Sequence, residues 1–249
     1  MIRRMPLSLF LAAAFPFAGA WGDDPADLAP LRIHMISGSG EYRSEPSLRA
    51  FAEHLDARYR VEVSASWVKD SAKSLPDVDK IPGADLLIVF ARRLDLPESE
   101  MEVLRAHWRG GKPLIGLRTA SHAFQKTDNE VFDREVLGGN YQGHYGNEPT
   151  QIKAVEGAAD HPILRGVSLT MAPGPLYKNT GHADDINLLL TGSIPEHTEP
   201  LAWTRQYKGG RIFYTSLGNV ETFEQDDFRR MIAQALFWAA KREPAKKGQ

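Results

Sequence analysis

PLIGLRT, residues 113–119, is a short apolar run that stops on a charged residue, Arg118, and passes directly into ASHAF. A buried parallel strand that hands over to a helix through a tight elbow reads this way. Immediately upstream, Gly110 and Gly111 close a helix expected to begin near Pro97, with Met101, Leu104 and Trp108 on one face. Further upstream lie ADLLIVFA (84–91), RVEVSASW (60–67) and LRIHMIS (31–37), each short and apolar or β-branched. Between the last two, Leu48, Phe51, Ala52 and Leu55 fall at i, i+3, i+4 and i+7, and Ser44 and Pro46 suit the start of that helix. Such alternation predicts βαβ units and hence an α/β fold: a single doubly wound, mostly parallel sheet flanked by helices.

Downstream of Phe124 the pattern loosens into glycine-rich stretches, GGNYQGHYG (138–146) and APGPLY (172–177), which read as long loops of the kind that carry function. Strands are expected again at 187–192, 200–206 and 211–217, the last two joined as a hairpin by Lys208-Gly209-Gly210. A closing helix carries Phe228, Met231, Ile232, Ala235, Leu236 and Ala239 at helical spacing, with Asp226 and Asp227 in its first turn. KREPAKKGQ (241–249) reads as a disordered polar tail. No repeat and no second domain is visible.

The first twenty residues combine Arg3 and Arg4, an apolar middle interrupted by Pro6 and Pro16, and small residues at Ala18 and Ala20. They predict a secretory signal cleaved before Trp21, a linker over 21–30 and one domain over 31–240. The apolar run is short for a membrane span, so no stable span is expected after cleavage, and residence is periplasmic or secreted. The chain has no cysteine, which excludes a lipoprotein anchor, disulfides, a thiolate metal site and a thiol nucleophile. Its formal charge is −2, or −4 without Arg3 and Arg4, and nothing points to nucleic acid. Self-association is left open.

In open parallel sheets ligands bind beyond the carboxyl ends of the strands, which makes the residues after each strand the candidates. After the first strand comes SGSGEYRSE (37–45), holding Glu41 and Tyr42 and leading into a helix N-terminus suited to anions, although it lacks the spacing of a dinucleotide or nucleotide phosphate loop. At the elbow, Arg118 offers a planar fork of donors to a ligand carboxylate, hydroxyl or phosphate, and His122 is expected one helical turn away. His144 stands between Tyr141 and Tyr145 in a loop that suits stacking on a sugar face. His161, before Pro162, reads as turn chemistry, and His34, inside the first strand, as a buried hydrogen-bonded ring. His182 would complete a metal site only by meeting His122 and His144 in space, and no short ligand spacing supports one, so no metal or other cofactor is assigned.

Taken in order, PLIGLRTASHAF, GGNYQGH, ADHPILRG and GGRIFYTSLGN resemble the ThuA-like (trehalose utilisation) family, which shares the class I glutamine amidotransferase-like, flavodoxin-like fold. The resemblance spans about residues 31–240. It implies a carbohydrate context, with a trehalose-type or oxidised sugar as the small-molecule partner. His144 matches the family's Gly-His. Arg118 stands where the amidotransferases place a nucleophilic Cys and where the family commonly shows Gly-x-His, and Asn219 replaces a His in the family's Ser/Ala-Leu-Gly-His. A guanidinium cannot act as a nucleophile, so a Cys-dependent glutaminase is excluded. Two readings stand: a sugar-active hydrolase, isomerase or lyase in which His122 or His144 moves a proton, or a non-catalytic sugar-binding or assembly module. A metal-dependent hydrolase is a third. In each, Arg118, Tyr42, Tyr141, Asn219, Glu41 and Glu221 are the ligand-binding candidates.

Overall fold

The computed structural model describes residues 29–246. All of the expected signal segment, and most of the linker after it, lie outside the described residues. Among the described residues no helix is long and apolar enough to cross a membrane.

One nine-stranded sheet organises the chain, in the order β2-β1-β3-β4-β9-β8-β7-β5-β6. The strands are β1 (Leu31–Gly38), β2 (Val61–Trp67), β3 (Leu86–Ala91), β4 (Leu114–Leu117), β5 (Thr150–Ala154), β6 (Met171–Ala172), β7 (Asn187–Ile194), β8 (His197–Tyr207) and β9 (Gly210–Thr215). The first five in spatial order pair in parallel and the rest antiparallel, four pairings of each kind. The sheet is therefore mixed, which corrects the expectation of a mostly parallel one. The reason is the length of the connections. Only Lys208 and Gly209 separate β8 from β9, and only Pro195 and Glu196 separate β7 from β8. Two residues permit a hairpin and cannot carry a crossover. Lys208 and Gly209 both have positive φ, 51° and 90°, the geometry of a two-residue type I′ turn.

Helices cover both faces. Every residue of β3 is buried, as its unbroken apolar sequence requires for a strand packed on both sides. On one face, α1 (Ser44–Asp56) inserts Leu48, Phe51 and Leu55, and the long C-terminal helix Asp226–Ala240 inserts Phe228, Met231, Ile232, Ala235, Leu236 and Ala239. On the other, α2 (Glu98–Arg109) presents Met101, Leu104 and Trp108 beside Phe132, Val136 and Leu137. Each fully buried side chain of this size stabilises by about 1.5–3 kcal/mol. Three further helices complete the order: α3 (Lys126–Glu130), which runs into a π-helix over Val131–Leu137, then α4 (Val220–Phe223), which makes the C-terminal helix α5. Of the polar tail, residues 241–246 are described, and Ala245 O accepts the Arg60 N–H at the edge of β2.

The chain order places β2 on one side of β1 and β3 on the other, so the loops after β1 and β3 diverge and leave a crevice at the carboxyl ends. The elbow after β4 borders it and depends on close packing at Gly116, where a Cβ would come within 3.0 Å of both Leu137 Cδ2 and Tyr214 Cδ2. Gly116→Ala is expected to destabilise the protein by about 1–3 kcal/mol through overpacking. Chemical denaturation checks this, and an unchanged midpoint would show that the elbow tolerates the added methyl.

Candidate functional site

Arg118 opens the short 3₁₀ turn Arg118–His122 and has a left-handed backbone, φ 46°, sparsely populated for a non-glycine residue. Its side chain is 2% exposed. Nη1 donates to Ser216 O at 2.6 Å, just beyond β9, and Nη2 to Pro175 O at 3.3 Å. The guanidinium lies against two rings, 4.3 Å from the centroid of Tyr42 and 4.6 Å from that of Tyr177. Tyr214 OH donates to Arg118 O at 2.9 Å, fixing the elbow from below. The fork of donors foreseen at this position is thus directed at the chain's own carbonyls, and among the described residues Arg118 forms no ion pair.

Beside the guanidinium lies an aromatic stack. The His122 ring packs on Tyr141 at 4.4 Å and 17°, and both face Tyr177, at 6.0 and 4.7 Å. His122 Nδ1 is 3.1 Å from Ser121 Oγ. Burial, reinforced by the guanidiniums of Arg92, Arg93 and Arg118, pushes the His122 imidazole from 6.5 down to about 3. It is neutral at neutral pH and has no proton to donate as an imidazolium.

Tyr141 is held from behind by Asp133, a buried residue of the π-helix. Asp133 Oδ2 accepts the Tyr141 N–H at 2.8 Å, while Oδ1 is buried with no partner, against Gly139. Burial raises this carboxyl from 3.8 to about 7, against the lowering effects of the Tyr141 N–H and of Arg134. A pKa raised on folding means that the native state holds the proton more tightly than the unfolded chain. The Asp133 contribution is therefore most favourable below about pH 4 and declines as pH rises towards about 7. Asp133→Asn, which keeps an acceptor without charge, should gain stability relative to wild type across that window, by on the order of 1–3 kcal/mol above neutrality. Parallel urea melts of the two proteins at several pH values check it, and a constant difference from pH 4 to 8 would rule it out.

A cleft of about 430 Å³ opens in front of these groups. Five of the eight residues foreseen from the sequence line it: Glu41 and Tyr42 after β1, His144 in the glycine-rich loop, and Asn219 and Glu221 at the start of α4. The other three, Arg118, His122 and Tyr141, are not among its lining residues. Arg118 lies behind the wall that Tyr42 and Pro175 form, and the His122–Tyr141 stack adjoins it through Tyr177. His144 is exposed, its Nδ1 2.6 Å from Tyr145 O and its ring 6.4 Å from Tyr177. Asn219 Oδ1 is buried without a partner. Glu41 approaches Arg92 at 3.6 Å, which also pairs with Asp70 at 3.0 Å. Among the described residues, neither His122 nor His144 is hydrogen-bonded to a carboxylate. A larger hollow, about 700 Å³, lies at the amino-terminal ends of the parallel strands and is lined by Arg32, Asp85 and Gly210. The crevice at the carboxyl ends is where open α/β sheets take ligands, and it is the one that gathers the candidates.

Tyr177 went unforeseen, as did Arg43, Gly174 and Pro175 in the wall. The run Pro173-Gly174-Pro175 just before Tyr177 was the available signal, since two prolines stiffen a loop that presents a ring. His34 has both ring nitrogens engaged, by Ser64 Oγ at 2.8 Å and Ser66 Oγ at 3.0 Å, and His161 Nδ1 accepts the Ile163 N–H. His182 Nδ1 lies 3.0 Å from its neighbour Ala183 O, and among the described residues no group of three or more His, Cys, Asp or Glu side chains is placed to hold a metal ion.

Fold and cleft together define an α/β protein with a crevice at the carboxyl ends of the parallel half of a mixed sheet. The chain belongs to the ThuA family, described as trehalose utilisation, whose profile matches residues 32–239. No protein of curated function matches the sequence. Among solved structures, a ThuA-like protein of Parabacteroides merdae is similar at 19% identity over 88% of this chain and 92% of that one, with a TM-score of 0.67. A second, from Bacteroides uniformis, is similar at 16% identity over 85% and 92%, with a TM-score of 0.63. A cold-adapted β-galactosidase from Rahnella is similar at 14% identity over 87% of this chain but 32% of that one, with a TM-score of 0.58. At such identities the likeness is one of fold.

Proposed function

We propose that this chain is an exported carbohydrate-binding member of the ThuA family, whose cleft takes a trehalose-type or oxidised sugar without turning it over. One observation carries the reading: Glu41, Tyr42, His144, Asn219 and Glu221, drawn from three separate loops, line one cleft. Carboxylates and an amide meet sugar hydroxyls, and the rings of Tyr42 and His144 supply flat apolar surface, the combination a sugar requires. Proton transfer is poorly served, because His122 is held neutral and no carboxylate orients either imidazole. Arg118 acts from behind, fixing the wall that Tyr42 and Pro175 form.

Calorimetric titration with neutral disaccharides and their oxidised forms, alongside product analysis, tests this. Glu221→Gln and Asn219→Ala are expected to weaken binding about tenfold each, the effect of losing one hydrogen bond to a ligand, with little change in melting temperature. Turnover of a sugar that disappears in His144→Ala would replace the binding reading with an enzymatic one. No saturable binding of any sugar would sink both.

Export rests on the arrangement of residues 1–20. Expression of the full-length gene in a bacterial host should yield a protein beginning at Trp21 in the periplasm or medium. Intact-mass measurement of an uncleaved cytoplasmic product would contradict it.

A further inference from the structure

The segment after β1 does more than supply Glu41 and Tyr42 to the cleft. It also leads into α1, thirteen residues long, whose first turn has no side-chain cap: Arg43, at the N-cap, is left-handed with φ 48° and makes no capping bond. A hollow of about 230 Å³ sits at this helix start, lined by Ser39, Gly40, Arg43, Ser44, Lys69 and the carboxylate-bearing Glu45 among others. Its charges are unbalanced. Glu45 pairs with Arg49 at 2.8 Å and Asp70 with Arg92 at 3.0 Å, whereas Arg43 and Lys69 form no ion pair among the described residues. Ser39 supplies the independent sign of a ligand. It is 1% exposed, and although its N–H donates to Ser44 Oγ at 2.9 Å, its own hydroxyl has no hydrogen-bond partner among the described residues. A buried orphan hydroxyl is unfavourable unless something completes it.

We propose that this hollow is an oxyanion subsite of the phosphate-ester class, completed by Ser39 Oγ, the positive end of α1, Lys69 and Arg43. Helix dipole, unpaired cations and an orphan donor all favour a tetrahedral anion there. Arg43 lines both this hollow and the cleft, so the two adjoin at that residue. A single ligand that fills both is a phosphorylated sugar, and that half of the proposal rests on the carbohydrate reading above. The subsite itself does not.

Inorganic phosphate titrated into the purified protein, followed by calorimetry and by thermal shift, tests the subsite without any sugar. Saturable binding is expected, weakened about tenfold by Lys69→Ala and by Ser39→Ala, as loss of a charge-assisted or buried hydrogen bond requires. Ser39→Ala should melt no lower than wild type without phosphate, since it removes an unsatisfied group. Lys69 is exposed, so its variant keeps the test open should Ser39→Ala fail to fold. A phosphorylated disaccharide should bind at least about tenfold tighter than its neutral parent in the wild type, and this preference should vanish in Lys69→Ala. Absence of saturable phosphate binding, or binding that neither variant weakens, overturns the subsite and leaves neutral-sugar binding standing. Phosphate binding lost in Lys69→Ala alongside no affinity for any disaccharide upholds the subsite and sinks the carbohydrate reading.

Discussion

Burying a guanidinium is costly unless its donors and its charge are met in other ways, and the upper end of this sheet is organised around the partners of the Arg118 terminal nitrogens and charge, its Nε having none among the described residues. Two carbonyls, those of Ser216 and Pro175, take its terminal nitrogens, and the rings of Tyr42 and Tyr177 cover its charge. These four residues come from three different segments: those that follow β9 and β1, and the loop between β6 and β7. One side chain at the elbow therefore ties together segments with no regular secondary structure of their own to hold them. At the elbow this chain uses the backbone turn to anchor a wall. The left-handed φ of Arg118 is kept in place by Tyr214 OH on its carbonyl.

What the wall encloses follows from that clamp. Tyr177, seated on the guanidinium, forms the shared face against which His122, Tyr141 and His144 arrange themselves. The same enclosure takes His122 out of water and surrounds it with guanidiniums, which is why a ring so well placed in the sequence is chemically quiet here. Asp133 performs the complementary task from the opposite side, pinning the Tyr141 backbone. The groups that line the cleft are hydrogen-bonding carboxylates, an amide and the exposed ring of His144 beside the buried Tyr42.

Much of this was legible in the order of residues. Leu48, Phe51 and Leu55, or Phe228 through Ala239, repeat at the helical period because one face of each helix meets the sheet. ADLLIVFA is apolar throughout because β3 is covered on both sides. Glu41 and Tyr42 are legible because the end of the first strand is readable, and Asn219 through the resemblance of its segment to the family's Ser/Ala-Leu-Gly-His. The antiparallel half was harder. TQIKA shows little alternation, and Met171–Ala172 is two residues long, so both are strands only by virtue of their partners. The Lys208-Gly209 hairpin was visible, but its consequence for the direction of the neighbouring strands was not drawn from it. Tyr177 lay in an irregular stretch whose alignment with His144 is set by a single isolated bridge. The residue type of Arg118 spoke for a fork of donors. Only the fold brings the carbonyls of Pro175 and Ser216, 57 and 98 residues further along, within its reach.

The π-helix of Val131–Leu137 sets a register that chain length itself controls. A π turn holds one more residue than an α turn, and it is this extra residue that lets Phe132, Val136 and Leu137 face the core while Asp133 faces the Tyr141 backbone. Removing one residue from within the segment would close the wide turn and change which of its side chains reach the core and which reach the Tyr141 backbone. The apolar residues and the carboxylate would then no longer be in phase with their partners. For this stretch, insertion and deletion are thus a sharper instrument than substitution, since a single codon lost far from the cleft would unseat one of its rings without altering any residue that touches a ligand.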